Sequence, residues 1–488
     1  MLAEAIIRIG RPLAQSPMKP TERIRWLTDV NNENCKNYFQ NVWVVELAPE
    51  EVLDTLHYMQ LGEWTGEGKN AVFEVDARRS TSFPFHFPNG GNPLKAQGIY
   101  PLPCYLMWDA HIKEMQDPGT FAAEVLMPRL SRTVPYFGAD ESELGLIARR
   151  VSNLLAKECN KWSNNERQLG ILMIVDPELK CFRYEEQPGD LTVQESGIRP
   201  GTWIVLDSET TLAWIREAKV REATELGEAT DQISTFTNRR ADRVVSLYNK
   251  SWLWLAPTWE MPRSIYWKDD EWTKGIKADP ESYEYFYYGT QFMKAIQVPV
   301  SSTTLKEMFA PVMHAEARKH IRASSYEQIY GIPMLLPLLD GDSEQQYRKY
   351  RQMLRPQEDE TRSALHLRLL AGIDRFIPRS GDDYRLTILY YSGDLSRGNM
   401  HIRAVIEDVV PSVAATIQDI MAGIQSRDIP QLIRALGLPD PFVLHALDDL
   451  PSMLANAFGP GYVWDSLQKV LHRQPIRIER VHEMTARK

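Results

Sequence analysis

Apolar positions in the first half of the chain form two patterns that predict different elements. Four short apolar runs read as buried strands, and three segments with acidic starts and apolar residues at helical spacing read as helices. The predicted strands are VWVVELAP (42–49), NAVFEVDA (70–77), QLGILMIVDP (168–177) and GTWIVLDS (201–208). The predicted helices are EEVLDTLHYM (50–59), DESELGLIARRVSNLLAKECNKW (140–162) and SETTLAWIREAKVREATEL (208–226), the last opened by a Ser-x-x-Thr cap.

The second half has a different pattern, with one hairpin followed by short helices. The segment 385–412 contains two apolar strands around a polar turn made by Asp394, Ser396 and Asn399, and the alternation of Leu386, Ile388 and Tyr390 predicts a buried face. Helical spacing punctuated by Pro and Gly then predicts helices in 413–424, 429–438, 442–458 and 463–472.

These elements predict an α+β fold, with a mixed strand and helix N-terminal region and a helix-rich C-terminal region. The polar and charged stretch that ends at Ser363 is typical of a linker. We therefore expect a body over 1–340, a charged linker over 341–363, and a hairpin plus helices over 364–488.

Aromatic residues are concentrated between 248 and 292, in YNKSWLWLAPTWEMPRSIYWKDDEW and YEYFYYGTQF. Such density occurs both in base-stacking platforms and in packed cores. Strand-like alternation favours the core here.

Composition places the chain among ordinary folded proteins, with 43% hydrophobic and 25% charged residues. The net charge of −9 argues weakly against a free-standing nucleic-acid binder but leaves room for a local basic groove. The four cysteines, Cys35, Cys104, Cys159 and Cys181, have no C-x-x-C spacing, so we expect reduced, mostly buried thiols.

The opening MLAEAIIRIGRPL carries Glu4 and a short apolar run, which argues against an export signal. No apolar run approaches the roughly 20 residues that span a bilayer. We expect a cytoplasmic protein with no membrane partner.

Two motifs, one acidic and one with histidines, have residue types that occur in catalytic centres. Asp382 and Asp383 in SGDD resemble the paired aspartates of palm-type polymerases and cyclases, but Pro378 interrupts the strand that should precede them. They are expected to cap or flank a strand. His314 and His320 are six residues apart around Glu316, unlike the i, i+4 pair of a zinc hydrolase.

No Gly-x-Ser-x-Gly elbow, P-loop or dinucleotide fingerprint occurs in the sequence. We therefore expect no catalytic residue, metal or cofactor. The alternatives are a metal-dependent nuclease or nucleotide cyclase that uses acidic turns such as Asp382 and Asp383, and a purely structural partner protein.

Three segments have the composition of nucleic-acid contacts, although each is also compatible with a turn, a charged helix face or a solvated linker. The third, YRKYRQMLR (347–355), interleaves Tyr347 and Tyr350 with basic residues. The first two supply the candidate binding residues: Asn89, Gly90, Gly91, Asn92 and Lys95 in one loop, then Asn238, Arg239, Arg240 and Arg243 in TNRRADR, with Lys250 shortly after.

The segments YEYFYYGTQFMKAIQ and RLTILYYSGDLSRGNMHIRAVIEDVVPSV resemble the large subunit of type I-B CRISPR Cascade effector complexes. In that family an aromatic YYG precedes a strand pair and a DVxPS helix entry. The opening MLAEAIIRIG, the VVEL strand and GILMIVD fit the same pattern, so the resemblance spans most of the chain.

The resemblance implies a non-catalytic subunit of an RNA-guided antiviral surveillance complex. Such a subunit binds the 5′ end of the guide RNA, reads a protospacer-adjacent motif in double-stranded DNA and helps open the duplex for R-loop formation. Its implied partners are the Cascade backbone and small subunits, and a recruited helicase-nuclease or transposition proteins. The chain departs from the family in its limited room for a C-terminal helical bundle, which fits a short, transposon-associated variant, and no zinc-binding cysteines carry over.

Overall fold

The architecture comes from a computed structural model that describes most of the chain. The described residues are 2–28, 41–49, 53–60, 62–65, 72–75, 98–159, 170–187, 192–196, 201–247, 271–310, 327–339, 341–355, 364–394, 399–439 and 447–487.

The chain forms two compact units that interleave in sequence. One contains residues 17–284, and the other joins residues 1–16 to residues 285–488. These boundaries differ from the predicted divisions after residues 340 and 363, because the first helix packs with the C-terminal half of the chain. The mixed α+β class is confirmed, with strands and helices in the N-terminal region and mostly helices towards the C-terminus.

The unit of residues 17–284 contains a four-stranded, two three-stranded and one two-stranded sheet among its described residues. Its strands are β1 (Asn41–Glu46), β2 (Thr55–Gln60), β3 (Gly62–Thr65), β4 (Val72–Val75), β5 (Cys104–Met107), β6 (Gly170–Val175), β7 (Phe182–Glu185), β8 (Thr192–Ser196), β9 (Thr202–Leu206), β10 (Glu228–Ile233), β11 (Arg240–Ser246) and β12 (Lys277–Ala278). Its helices are α2 (Pro20–Leu27), α3 (Asp109–Glu114), α4 (Pro118–Thr120), a π-helical segment (Phe121–Leu126), α5 (Met127–Leu130), α6 (Glu141–Glu158) and α7 (Ser208–Thr224). Helix α1 (Leu2–Ala14), which comes before them in the chain, belongs to the other unit.

The four-stranded sheet has the order β2-β1-β6-β5, with β1 and β6 parallel at its centre. Both central strands are buried along nearly their whole length, which explains their unbroken apolar sequences. The prediction of a helix over 50–59 is wrong, because Thr55–Gln60 form edge strand β2, antiparallel to β1. Leu56 and Tyr58 alternate onto the core, so strand pairing overrides the acidic start signal.

The predicted helices over 140–162 and 208–226 are confirmed as α6 and α7. The cap of α7 differs from the prediction: the Asp207 carboxylate accepts the Thr210 N–H at 2.9 Å, one residue before the expected Ser208.

The unit of residues 1–16 and 285–488 is built on a four-stranded antiparallel sheet of order β13-β14-β17-β18. Its strands are β13 (Val298–Pro299), β14 (Ile329–Pro337), β15 (Ala364–His366), β16 (Phe376–Pro378), β17 (Tyr384–Asp394) and β18 (Asn399–Val409). Its helices after α1 are α8 (Pro280–Ile296, which begins just before the boundary), α9 (Ser302–Phe309), α10 (Ser343–Leu354), α11 (Leu367–Ala371), α12 (Pro411–Gly423), a π-helical segment (Ile424–Asp428), α13 (Ile429–Ala435), α14 (Leu450–Phe458), α15 (Val463–Leu471) and α16 (Glu479–Arg487).

The predicted hairpin is confirmed as β17 and β18, which pair from Leu386 to Asp394. Leu386, Ile388 and Tyr390 are buried as expected. Leu389 and Tyr391 are buried too, so both faces of β17 are covered. Asp394 and Asn399 form the last pair before the turn, and Ser396 lies outside the described residues.

The aromatic segment after residue 279 is a helix, so the predicted strand-like alternation is wrong there. The expected role in the core is confirmed, because most of its aromatic side chains are buried, among them Tyr283, Phe286, Tyr288 and Phe292. The part of the aromatic region over 248–270 lies outside the described residues.

The segment predicted as a charged linker contains α10, whose apolar face is buried. Asp342 caps this helix by accepting the Glu344 N–H at 2.9 Å. Tyr350 and Met353 are buried, and the Tyr350 hydroxyl donates to the Leu335 carbonyl oxygen at 3.0 Å. The charged residues of 343–354 are therefore the solvent face of an amphipathic helix.

Cys104, Cys159 and Cys181 are free and buried, as expected, and Cys35 lies outside the described residues. Burial raises the pKa of Cys181 to about 12, which keeps its thiol protonated at neutral pH. Within the described part of the chain, no helix has the length and apolar character needed to cross a membrane.

Candidate nucleic-acid interface

Of the candidate binding residues that the structure describes, Asn238, Arg239 and Arg240 lie at the turn end of the β10–β11 hairpin, and Arg243 lies in the middle of β11. The turn between the strands covers residues 234–239, and the Ser234 N–H donates to the Arg239 carbonyl oxygen at 2.9 Å. Asn238 adopts a left-handed backbone conformation with φ of 51°, which an asparagine tolerates better than most residues. Asn238, Arg239 and Arg240 are all exposed.

The turn end of this hairpin is anchored to residues around β12, and the far end of β11 is buried. The buried Ser234 hydroxyl donates to the Asp279 carboxylate at 2.5 Å, and Thr235 exchanges hydrogen bonds with the Lys277 backbone at 2.8 and 3.0 Å. Val244 and Val245 of β11 are fully buried. An exposed polar tip on a buried base is the arrangement expected of a rigid reading element.

The positive charge of the tip is smaller than its sequence implies. The guanidinium of Arg240 pairs with Asp231, and that of Arg243 pairs with Glu228, both on the partner strand β10. The hydrogen bonds that Arg240 donates to the Asp231 carboxylate raise the pKa of Arg240 above its usual value. The side chain of Arg239 makes no hydrogen bond or ion pair with any described residue, so it carries the tip's available positive charge.

Asn89, Gly90, Gly91, Asn92, Lys95 and Lys250 lie outside the described residues, as do His314, Glu316 and His320.

The third candidate segment is largely committed to internal contacts. Tyr350 is a core residue, so its ring is not available to stack on a base. Lys349 Nζ lies 3.9 Å from the centre of the Tyr384 ring and donates to the Ser380 hydroxyl at 3.0 Å. Arg348 pairs with Glu344 at 2.5 Å. These contacts engage Tyr350, Lys349 and Arg348 within the protein.

Asp382 of SGDD stabilises the start of a helix. Its carboxylate accepts the Ser412 N–H at 3.0 Å and the Ser412 hydroxyl at 2.8 Å, in the first turn of α12. These hydrogen bonds lower the pKa of Asp382. The same oxygens would be needed to hold a metal ion, and no group of three or more His, Cys, Asp or Glu side chains with metal-binding geometry occurs among the described residues.

Asp382→Ala should lower the melting temperature measurably, because two hydrogen bonds at the helix start are lost. Asp383→Ala is the control, since the Asp383 carboxylate is exposed and makes no such cap. The folded pKa of Asp382 is depressed, so its stabilisation is present above about pH 4 and is lost as pH falls through the folded value. Equal melting temperatures for both variants across pH 3–7 would contradict this role.

Sequence reasoning missed the acidic partners of the arginines. Asp231 and Glu228 precede their partners Arg240 and Arg243 by 9 and 15 residues, and only the antiparallel register of β10 and β11 brings them alongside. A hairpin predicted from the alternation in EATDQI, followed by a polar turn, would have revealed them.

Comparison of the chain with protein-family models, with curated proteins and with solved structures finds no match.

Proposed function

We propose that this protein is the non-catalytic large subunit of an RNA-guided surveillance complex of the type I-B Cascade class. In this role it binds the 5′ end of the guide RNA, recognises the protospacer-adjacent motif in duplex DNA and helps open that duplex. The YYG and DVVPS segments carry the resemblance, and they correspond to α8 and to the junction of β18 and α12.

The observation that favours nucleic-acid contact most directly is the anchored β10–β11 tip. Asn238 offers amide donors and acceptors, and Arg239, whose guanidinium has no ion-pair partner among the described residues, lies in the same turn as the anchoring Ser234. Arginine and asparagine on a protruding element suit phosphate contact and groove reading. The engagement of Asp382 as a helix cap supports a binding role over the nuclease or cyclase alternative.

The test replaces Arg239 and Arg240 with Gln in a complex assembled with guide RNA. We expect DNA affinity to fall about tenfold near 100 mM salt, by the same factor for every adjacent motif. The slope of log affinity against log salt concentration should become shallower by the amount that corresponds to roughly one to two phosphate contacts. Fluorescence anisotropy across a salt series measures both quantities.

Arg427→Gln is the matched control, because Arg427 pairs with Asp428 at the surface with a side-chain exposure of 69%, against 71% for Arg240 paired with Asp231. A separate Asn89→Ala and Asn92→Ala variant should weaken only targets with the correct motif. The proposal fails if neither the Arg239 and Arg240 variant nor the Asn89 and Asn92 variant alters DNA binding. It also fails if the protein cleaves DNA in the presence of magnesium and loses this activity when Asp382 and Asp383 are changed.

A further inference from the structure

A cavity of about 720 Å³ opens within the unit that contains residues 285–488. Three segments that are separate in the sequence form its walls. The first is the β15–α11–β16 hairpin, the second is the helical stretch from α12 through the π-helical segment to α13, and the third is the pair Leu447 and Asp448. A volume of this size falls in the range of small-molecule sites.

The hairpin wall carries the cationic groups. His366 and Phe376 are opposite each other in the β15–β16 pair, with their rings edge to face at 4.3 Å, while Leu365 and Ile377 point into the core. Arg368 and Arg375 stand on the same wall. The alternation of β15 and β16 places the aromatic pair at the cavity surface, and Arg368 on α11 and Arg375 just before β16 add two guanidinium groups to the same lining.

Two glutamines hold the helical wall in place. Gln418 accepts the His366 N–H at 2.5 Å through its amide oxygen. Gln425 donates to the carbonyl oxygens of Leu447 and Asp448 at 2.9 and 3.0 Å. Gln418, Ala422, Gln425 and Ile429 follow at intervals of three and four residues, so they share one helix face. The cavity is thus braced before any ligand arrives, and π-helical segments are frequent at functional sites.

The two arginines lack anionic partners among the described residues. Arg375 donates one terminal N–H to the Met353 carbonyl oxygen, and its buried Nε has no hydrogen-bond partner. Burial lowers the pKa of Arg375, which reflects the cost of desolvating its charge. Arg368 is exposed at the rim and makes no side-chain hydrogen bond or ion pair with the described residues. A desolvated guanidinium gains most from a carboxylate or phosphate held bidentately.

The remaining lining groups narrow the ligand class. Leu369, Phe376, Ala422 and Ile429 offer apolar surface, which a bare anion would not use. Asp374, Asp419 and Asp448 also face the cavity, so a ligand must carry hydrogen-bond donors and little negative charge beyond one group. Asp419 is partly neutralised by Arg379 at 3.6 Å.

We propose that this cavity binds one nucleoside monophosphate unit, with its phosphate at Arg368 and Arg375, its base against Phe376 and its hydroxyl or amino groups toward the aspartates. Di- and triphosphates are disfavoured because the aspartates repel the added charge. The unit can be a free mononucleotide or the phosphorylated end of a strand. This inference does not rest on the proposed function, since it concerns a separate small-ligand site.

Isothermal titration of the full chain with 5′-AMP, 5′-GMP, 5′-CMP and 5′-UMP tests the proposal. We expect saturable binding of one mononucleotide per chain, and at least tenfold weaker binding of the matching triphosphate and of inorganic phosphate. Arg368→Gln should weaken mononucleotide binding about tenfold or more, because charge-assisted hydrogen bonds are lost. Ala422→Trp should abolish binding by filling the cavity from an exposed position.

Arg427→Gln is the matched control and should bind as the unchanged protein does, since Arg427 lies on the same helical stretch but outside the cavity lining. A 5′-phosphorylated trinucleotide in a parallel titration identifies the source. If the trinucleotide binds more tightly than 5′-AMP and this binding is lost in Ala422→Trp, the natural ligand is the end of a strand. If the trinucleotide binds more weakly than 5′-AMP, the natural ligand is a free nucleotide. Absence of saturable binding, equal affinity for inorganic phosphate, or insensitivity to both Arg368→Gln and Ala422→Trp would overturn the proposal. These results leave the DNA-binding test of Arg239 and Arg240 unaffected.

Discussion

Gly289→Ala should destabilise the protein by about 3 kcal/mol, the upper end of the usual cost of overpacking, because α1 and α8 cross with no space for a methyl group. A Cβ at Gly289 would lie 2.1 Å from the Ile6 carbonyl oxygen and 2.7 Å from Ile6 Cγ2. On the facing helix, a Cβ at Gly10 would lie 1.7 Å from the Tyr285 carbonyl oxygen. Both carbonyl oxygens belong to helix backbone, which cannot rotate away as a side chain can.

Urea denaturation followed by circular dichroism measures the loss of stability, and hydrogen exchange in peptides from α1 and α8 assigns it to this unit. Gly423→Ala is the control in the same unit. Its Cβ would meet nothing closer than Arg427 Nη2 at 4.0 Å, so the change should be neutral or stabilising by up to about 1 kcal/mol. If Gly289→Ala unfolds at the same urea concentration as the unchanged protein, the two helices do not cross this closely.

The elements that the sequence predicts well are those whose pattern allows one solution. The run GILMIV contains six consecutive residues of apolar character, and only a strand covered on both faces uses all of them. Leu386, Ile388 and Tyr390 are apolar residues at every second position between two turn-forming segments. This spacing predicts a strand of a hairpin.

The wrong predictions arise where local signals favoured the competing element. The acidic start of 50–59 resembles a helix, but Leu56 and Tyr58 gain more by extending the sheet beside β1. The many aromatic residues of 280–296 favour a strand, but the residues at the start of this segment predict a helix. Asp279 followed by Pro280 is a typical N-cap and first helical residue, and that signal should have outweighed β propensity.

The candidate sites depend on contacts between residues that are separated in the sequence. The tip residues Asn238 to Arg240 were predicted as a basic patch, but their charge balance depends on Asp231 across the hairpin. The cavity has no sequence signature, because Arg375 and Gln425 line it together only after β15 and α11 pack beside α12. Asp382 caps a helix 30 residues away for the same reason.

Asp449 is the centre of a buried hydrogen-bond chain that joins α9 to α14. It caps α14 by accepting the Ser452 N–H at 2.8 Å, and it accepts the Thr304 hydroxyl at 2.6 Å. Because Thr304 donates to Asp449, its oxygen accepts from the Ser301 hydroxyl, 2.8 Å away. Burial raises the pKa of Asp449.

Asp449→Ala should cost about 2–3 kcal/mol of stability, because it removes a helix cap and leaves a buried hydroxyl donor without an acceptor. Asp342→Ala, at the exposed cap of α10 in the same unit, is the control and should cost clearly less. Urea denaturation of the two variants gives the comparison, and equal losses would show that burial of the Thr304 contact adds nothing.

The pH dependence of stability distinguishes the Asp449 cap from the Asp382 cap, because the pKa of Asp449 is raised and that of Asp382 is lowered. The folded pKa of Asp449 is raised, so the unfolded chain releases this proton first and the native state loses stability as pH rises from about 4 through the folded value. Asp449→Asn keeps an acceptor oxygen without a titrating proton, so its stability should lack that loss. The unchanged protein should therefore be most stable relative to Asp449→Asn at the acidic end of a pH 4–7 denaturation series. A relative gain towards neutral pH would mean that the Asp449 carboxylate is stabilised as the anion, because its two hydrogen bonds would then outweigh its burial.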